Sequence, residues 1–114
     1  MRFPVSLLLL SWLVFAATAA ADCLKDQYGN VVCGKGQCET DIHGKIFCAG
    51  AGGGAVRDEN GKVQCGTGYC AKDDLGKVWC SKEAGGAAAV DSYGKVKCQG
   101  GCDEGSAAIC IEPQ

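Results

Sequence analysis

The stretch GKVQCGTGYC, residues 61–70, repeats in outline the stretch GNVVCGKGQC, residues 29–38. Each contains a glycine, a valine two residues later, a cysteine, a Gly-x-Gly pair and a second cysteine. The two copies begin 32 residues apart. Self-similarity at a fixed period is the signature of a repeat architecture. The stretch therefore predicts a structural unit that recurs along the chain.

Five eleven-residue segments follow one pattern, with Asp at position 4, Gly at position 7, Val or Ile at position 9 and Cys at position 11. These hairpin segments, numbered 1 to 5, are residues 23–33, 38–48, 55–65, 70–80 and 88–98. An Asp side chain accepts hydrogen bonds from backbone N–H groups shortly after it in a turn. Glycine suits the left-handed residue of a three-residue hairpin loop with a bulge. The pattern predicts five β-hairpins, in which position 1 opposes 11, 2 opposes 10, 3 opposes 9 and 4 opposes 8.

Alternation along a strand predicts two unlike faces for each hairpin. The constant face carries Cys33, Cys48, Cys65, Cys80 and Cys98 at position 11 and Val31, Ile46, Val63, Val78 and Val96 at position 9. The variable face carries, at position 10, Val32, Phe47, Gln64, Trp79 and Lys97. We expect the constant face to form the core and the variable face to meet solvent or a partner.

The hairpins group in twos, because short glycine-rich joints alternate with longer Gly/Ala-rich linkers. This grouping predicts three units, which are residues 23–54, 55–87 and 88–114. The last unit is degenerate, since CDEGSAAIC (102–110) lacks the turn-forming Asp. The chain has 18 glycines, and glycine disfavours helix. The predicted fold class is all-β, a small disulfide-rich repeat of short β-hairpins with no helix in the mature chain.

Residues 1–21 are typical of a secretory signal peptide, because Arg2 precedes an apolar run from Val5 and small residues end at Ala21. The run is shorter than the roughly 20 apolar residues of a membrane span. An uncleaved N-terminal anchor is the alternative. We expect residues 22–114 to form a single secreted or periplasmic domain without stable membrane insertion.

The predicted mature chain is poor in large apolar residues, so a hydrophobic core alone would not offset its conformational entropy. It holds all ten cysteines, a density typical of disulfide scaffolds in short secreted chains. An even number allows complete pairing. The predicted disulfide cysteines are Cys23, Cys33, Cys38, Cys48, Cys65, Cys70, Cys80, Cys98, Cys102 and Cys110.

Two connectivities respect the repeat. In the first, hairpins close on themselves and the leftover cysteines join, as Cys23–Cys33, Cys38–Cys48, Cys70–Cys80, Cys102–Cys110 and Cys65–Cys98. The alanines at position 1 of hairpins 3 and 5 favour this scheme, because Cys65 and Cys98 lack local partners. In the second, the joints close and the other bonds run between units, starting from Cys33–Cys38, Cys65–Cys70 and Cys98–Cys102. We prefer the first scheme, although directly opposed strand cysteines bond with some strain.

A thiolate metal site for Zn²⁺ or Cu(I) is the sharpest chemical alternative. Its candidate ligands are Cys33, Cys38, Cys65 and Cys70. Their C-x₄-C spacing is at the loose end of the range found in zinc knuckles, and a secretory route favours oxidation. No cofactor is therefore expected.

Two other features of the sequence point only weakly to a chemical role. The sequence DENG at residues 58–61 resembles the start of a calcium loop, but the distal glutamate is absent and a turn explains it equally well. His43 is the only histidine and lies at a predicted hairpin tip, where nothing aligns it with a nucleophile. We expect no catalytic residue.

The charge and the aromatic residues of the chain limit the classes of possible binding partner. Loss of Arg2 with the signal peptide leaves a net charge of −3, and the dispersed lysines form no basic patch for nucleic acid. Five aromatic residues suit either partner binding or the covering of the next repeat: Tyr28, Tyr69, Tyr93, Trp79 and Phe47. The sequence predicts a non-enzymatic structural or binding module with an extracytoplasmic protein or surface partner. The alternatives are a thiolate metal-binding protein and a secreted toxin or inhibitor.

Overall fold

The computed structural model describes residues 22–113, so the predicted signal peptide at residues 1–21 lies outside the described residues. It contains five antiparallel hairpins, each of two short strands. The paired strands are β1 (Cys23–Lys25) with β2 (Val31–Cys33), β3 (Cys38–Thr40) with β4 (Ile46–Cys48), β5 (Ala55–Arg57) with β6 (Val63–Cys65), β7 (Cys70–Lys72) with β8 (Val78–Ser81), and β9 (Ala88–Val90) with β10 (Val96–Cys98). The predicted all-β repeat of hairpins is confirmed.

The predicted register is also confirmed in all five hairpins. In hairpin 1, Cys23 opposes Cys33 and Leu24 opposes Val32. The other four hairpins pair their equivalent positions in the same way. The hairpins therefore present their side chains in one common frame.

The turn chemistry explains this uniformity. In hairpin 1, the Asp26 Oδ1 atom accepts the backbone N–H groups of Tyr28 at 2.9 Å and Asn30 at 2.8 Å. Gly29 has a φ of 86°, a left-handed conformation that residues with a Cβ adopt only at a cost. The same two acceptor bonds recur in each of the other turns. Positions 4 and 7 thus supply, from within each segment, the hydrogen bonds and the left-handed residue that the turn requires.

The hairpins stack in chain order, variable face onto constant face. Leu24 and Val32 from the variable face of hairpin 1 pack against the buried cluster Cys38, Ile46 and Cys48 on the constant face of hairpin 2. In the same way, Phe47 of hairpin 2 packs against the buried cluster of hairpin 3. The stack therefore has a direction, and burial of each constant face depends on the preceding hairpin.

This direction corrects the expectation about the two faces. The constant face is buried in hairpins 2 to 4, but Cys33 is exposed and Val31 keeps 65% of its surface exposed in hairpin 1. No hairpin precedes hairpin 1 within residues 22–113, so nothing covers that face. The variable face does not simply meet solvent either, because Val32 and Phe47 are covered by the next hairpin. Lys97, on the last hairpin, is exposed.

The Gly-x-Gly joints are needed because successive hairpins approach closely. A Cβ atom on Gly34 would lie 2.5 Å from both Cβ and Sγ of Cys48. Gly66 occupies the same place against Cys80 in the second joint. A side chain at either position would collide with the disulfide of the following hairpin. This close approach is why the motif of residues 29–38 recurs at residues 61–70.

The C-terminal segment, residues 102–113, which contains the degenerate part of the last unit, forms no hairpin. It runs back along the stack as a strap. Strand β11 (Cys102–Glu104) pairs antiparallel with β8, and single bridges then join Ser106 to Cys65 and Ile111 to Cys48. A single 3₁₀ turn, Ala107–Ile109, lies between them, and residues 22–113 contain no α-helix. The strap therefore protects strand edges of hairpins 2, 3 and 4.

The structure pairs all ten cysteines. The disulfides are Cys23–Cys33, Cys38–Cys48, Cys70–Cys80, Cys65–Cys110 and Cys98–Cys102. The first three agree with the preferred scheme, whereas Cys65–Cys98 and Cys102–Cys110 are wrong. The strap is the reason, because it carries Cys110 back onto the buried cluster of hairpin 3 while Cys102 remains beside Cys98. The Cys98–Cys102 pair belongs to the alternative scheme.

Candidate binding clefts between successive hairpins

The hairpin tips form an exposed row of side chains. Position 6 of each turn points outward from the stack, and all five occupants are exposed: Tyr28, His43, Asn60, Leu75 and Tyr93. The exposed fractions of Tyr28, Leu75 and Tyr93 are 79%, 77% and 83%. Their backbone is fixed by the Asp and Gly of each turn. This tip row therefore offers apolar side chains on ordered loops.

Clefts open between neighbouring hairpins at equivalent positions. Positions 4, 5, 6 and 10 of one hairpin and 6, 7, 8 and 9 of the next line each of three clefts, between hairpins 1 and 2, 3 and 4, and 4 and 5. The clefts measure about 460, 310 and 510 Å³ respectively. One wall thus combines the constant Asp of position 4 with positions 5, 6 and 10, whose identity changes from cleft to cleft. The stack builds one kind of cleft and varies its chemistry.

The cleft between hairpins 4 and 5 is the most aromatic of the three. Trp79 and Val96 line it together with Leu75 and Tyr93, the exposed tip residues of the two hairpins. Asp74 and Lys95 also line it and are exposed, one of each charge. We call it the 4/5 cleft. Its volume is within the range of small-ligand sites.

A turn carboxylate holds the indole of Trp79 in place. Trp79 Nε1 donates a hydrogen bond to Asp73 Oδ2 at 2.9 Å, while Asp73 Oδ1 accepts the backbone N–H groups of Leu75 and Lys77. The next cleft toward the N-terminus repeats this device, because Gln64 Nε2 donates to Asp58 Oδ2 at 2.9 Å. The turn Asp therefore orients the variable side chain at position 10 as well as closing the turn.

The turn carboxylates of Asp41, Asp58, Asp73 and Asp91 have pKa values below the ordinary value of an aspartate. The pKa of Asp73 is lowered first by the backbone N–H of Lys77 and then by the indole N–H of Trp79. The position-8 backbone N–H is likewise the main cause that lowers the pKa values of Asp41 and Asp91. The 4/5 cleft therefore contains ionised Asp73 at neutral pH.

Lysines lie close to these acids around the 4/5 cleft. The Lys77 Nζ atom lies 5.3 Å from the centroid of the Trp79 ring and 3.6 Å from Glu104 Oε2 on the strap. One cation therefore already occupies a face of the indole. The 4/5 cleft itself is lined by Asp73, Asp74 and Lys95, two negative charges and one positive charge.

The thiolate metal hypothesis is contradicted by the pairing. Its four candidate ligands, Cys33, Cys38, Cys65 and Cys70, are bonded to four different cysteines, and no cysteine in residues 22–113 is free. A sulfur in a disulfide is not the thiolate that binds a metal. Across the described part of the chain, no group of three or more His, Cys, Asp or Glu side chains is arranged to hold a metal ion.

The minor motifs have structural roles. In the DENG stretch, Asp58 uses one carboxylate oxygen for the backbone of Asn60 and Lys62 and the other for Gln64, as a turn residue does. His43 is exposed at its tip, and its backbone N–H donates to Asp41.

The five aromatic residues divide between the two predicted roles. Phe47 packs against the core of hairpin 3, and Trp79 is half-buried beneath hairpin 5. Tyr69 is half-buried in the joint before hairpin 4. Tyr28 and Tyr93 are exposed on the tip row. Covering of the next repeat and surface presentation therefore both occur.

Comparison of the chain with protein-family models, curated proteins and solved structures yields no match. Five disulfides are typical of proteins that fold in an oxidising extracytoplasmic compartment. In residues 22–113, no helix is long and apolar enough to cross a membrane.

Sequence reasoning did not find the clefts or the strap. The clefts depend on which face of one hairpin meets the next, and alternation within a segment does not encode that choice. One signal was present: position 5 varies freely while position 7 is always glycine. In the structure, position 5 of each hairpin lies against the position-7 glycine of the next, as Ile42 does against Gly61.

Proposed function

We propose that this protein is a non-enzymatic, secreted or periplasmic binding module whose hairpin tips and inter-hairpin clefts contact an extracytoplasmic partner. One observation carries the proposal. The positions that are constant across the five hairpins make turns, disulfides and core contacts, whereas the variable positions 5, 6 and 10 line clefts and tips. A scaffold with variable residues on an ordered surface is the usual design of a recognition module.

The disulfides and the contacts between successive hairpins support this role. Short two-stranded hairpins are only marginally stable on their own in water. Here each hairpin is stabilised by its turn and by its neighbours, and hairpins 2 to 4 are also stabilised by the strap. A braced surface loses little conformational entropy on binding, which favours affinity. The cysteines in residues 22–113 are all oxidised, so none supplies the thiolate nucleophile of a cysteine-dependent enzyme.

A secreted inhibitor is the second candidate, and the tip row favours it. Leu75 is 77% exposed on a turn that Asp73 and Gly76 hold in shape. An apolar side chain on a braced loop is what a protein inhibitor presents to a pocket of its target. Inhibition of an extracellular hydrolase that the Leu75→Ala variant loses would identify this role.

The binding function is tested with affinity-tagged protein secreted in its oxidised form. Its saturable binding to the surface and extracellular fractions of the producing cells would be measured, with the same protein reduced and alkylated as the control. We expect binding that saturates, that untagged protein displaces and that reduction abolishes. Absence of saturable binding to every fraction, or equal binding after reduction, would refute the proposal.

A further inference from the structure

We propose that the 4/5 cleft binds a neutral carbohydrate, with the sugar ring against Trp79 and Tyr93 and its hydroxyls bonded to rim charges. This inference rests on the proposed binding function and names the ligand class for one of its sites.

The aromatic wall is pre-organised. The Trp79 indole is hydrogen-bonded to Asp73, and that carboxylate is itself held by two backbone N–H groups. Rotation of the ring would break its bond to an ionised group, so the ring keeps its orientation without a ligand. Tyr93, from the following hairpin, lines the same cleft and is 83% exposed. The two rings thus offer apolar surface that no other side chain fully covers.

The charge of the cleft selects against ions. Lys77 already lies over the Trp79 ring and pairs with Glu104. Both residues line the neighbouring cleft between hairpins 3 and 4, so the indole face that Lys77 covers is closed to a ligand cation. An anion would meet Asp73 and Asp74 in a protein whose predicted mature chain is acidic. A neutral ligand needs no access to the occupied face of the indole as a cation and is not repelled by the aspartates.

Hydrogen-bonding capacity selects among neutral ligands. Asp74 offers carboxylate acceptors, Lys95 offers ammonium donors and the Tyr93 hydroxyl offers both. A sugar ring has C–H groups on its faces, which suit aromatic rings, and hydroxyls around its edge, which both donate and accept. A purely apolar ligand would leave the rim groups without partners, at a cost in free energy.

The neighbouring cleft suggests a sugar chain rather than one sugar. The cleft between hairpins 3 and 4 shares Leu75 with the 4/5 cleft and adds the polar side chains of Asn60 and Gln64. Amides bond hydroxyls as donors and acceptors. The two clefts therefore adjoin at Leu75, and we expect a sugar chain bound in the 4/5 cleft to extend toward Asn60 and Gln64.

The sequence provides an intrinsic reporter. Trp79 is the only tryptophan after residue 21, so the intrinsic tryptophan fluorescence of the processed protein reports on the 4/5 cleft. The secreted protein would be titrated with neutral tetrasaccharides of glucose, mannose or N-acetylglucosamine, and separately with tetramethylammonium and with an arginine-rich peptide. We expect a saturable fluorescence change with at least one of the sugars.

Two matched variants locate the site. Tyr93→Ala is expected to weaken sugar binding about tenfold, in keeping with the loss of an aromatic contact. Val31→Ala, on the uncovered constant face of hairpin 1 and outside the tip row and the clefts, should leave the affinity unchanged. Both substitutions shorten exposed side chains, so folding is spared and the Trp79 signal is kept.

Several results would overturn the inference: no response to any of the sugars, a response only to the cationic probes, or equal weakening by the two variants. If the protein still binds cell fractions saturably while no sugar competes, the carbohydrate inference fails and the binding module stands. If neither assay shows binding, both proposals fail.

Discussion

Replacement of Gly34, the first glycine of the first joint, by alanine is expected to destabilise the protein only through a steric collision. Gly34 has no left-handed φ, so an alanine there meets no backbone strain. Its Cβ would lie 2.5 Å from Cys48 Cβ and Sγ and 2.9 Å from Cys38 Sγ. Cys48 is 1% exposed and bonded to Cys38, so these atoms cannot retreat into solvent. Hairpin 2 would have to move away from the joint as a unit.

The magnitude follows from two opposing terms. Overpacking of a well-packed site costs about 1–3 kcal/mol, while glycine-to-alanine replacement gains about 0.4–1 kcal/mol by restricting the unfolded chain. The net expectation for Gly34→Ala is a loss of about 1–2 kcal/mol in the free energy of unfolding. For a domain of this size, each kcal/mol lowers the melting temperature by about 4–8 °C.

Two other glycines provide the controls. Gly50 has no atom within 4 Å of an added Cβ and no left-handed φ, so Gly50→Ala should be neutral or slightly stabilising. Gly29 also has open space but a φ of 86°, so Gly29→Ala should lose about 1–2 kcal/mol through backbone strain. The three variants thus separate collision from strain.

The assay is thermal and denaturant unfolding of the oxidised proteins, with intact mass confirming five disulfides in each variant. If Gly34→Ala unfolds like Gly50→Ala while Gly29→Ala is destabilised, the close approach of the joint to Cys48 is not what requires glycine. The account of why the joint motif recurs would then be wrong.

The remaining predictions concern the disulfides and pH. Replacing Cys65 and Cys110 together by alanine should cost about 4 kcal/mol, because their bond spans 45 residues, whereas replacing Cys98 and Cys102, which are 4 residues apart, should cost about 2 kcal/mol. Denaturant unfolding checks this order, and equal losses would contradict it. Peptide mapping of unreduced protein should recover both pairs, and a peptide linking Cys102 to Cys110 would refute the strap. The pKa of Asp73 in the folded protein lies below its unfolded value of about 3.9. The ionised Asp73 carboxylate therefore stabilises the folded protein fully above that pH, and this stabilisation is lost as the pH falls through the folded pKa. The melting temperature should therefore decrease once the pH is lowered below about 4, and it should decrease less steeply in Asp73→Asn. A melting temperature that does not change with acid would contradict the role of the turn carboxylates.

The candidate site was only partly predictable from sequence. The pattern identified Trp79 and Tyr93 as residues for a partner or for the next repeat, and in the structure they line one cleft. It did not show that the Asp73 carboxylate orients the indole, because that bond joins positions 4 and 10 through side-chain geometry. It left the variable face to solvent or a partner and Phe47 to a partner or the next repeat, and in the structure Phe47 packs against hairpin 3.

The sequence by itself determined the hairpins and favoured the three disulfides within them. Each of those features is local, since Asp at position 4 and Gly at position 7 shape a turn that brings residues ten apart together. Tertiary structure alone decided the direction of stacking, the path of the strap and the Cys65–Cys110 bond. Those depend on contacts between distant segments, whose energies are spread over many small residues and leave no pattern in any single segment. The constant positions encode the repeat unit, while the order in which units cover one another is settled only when they pack.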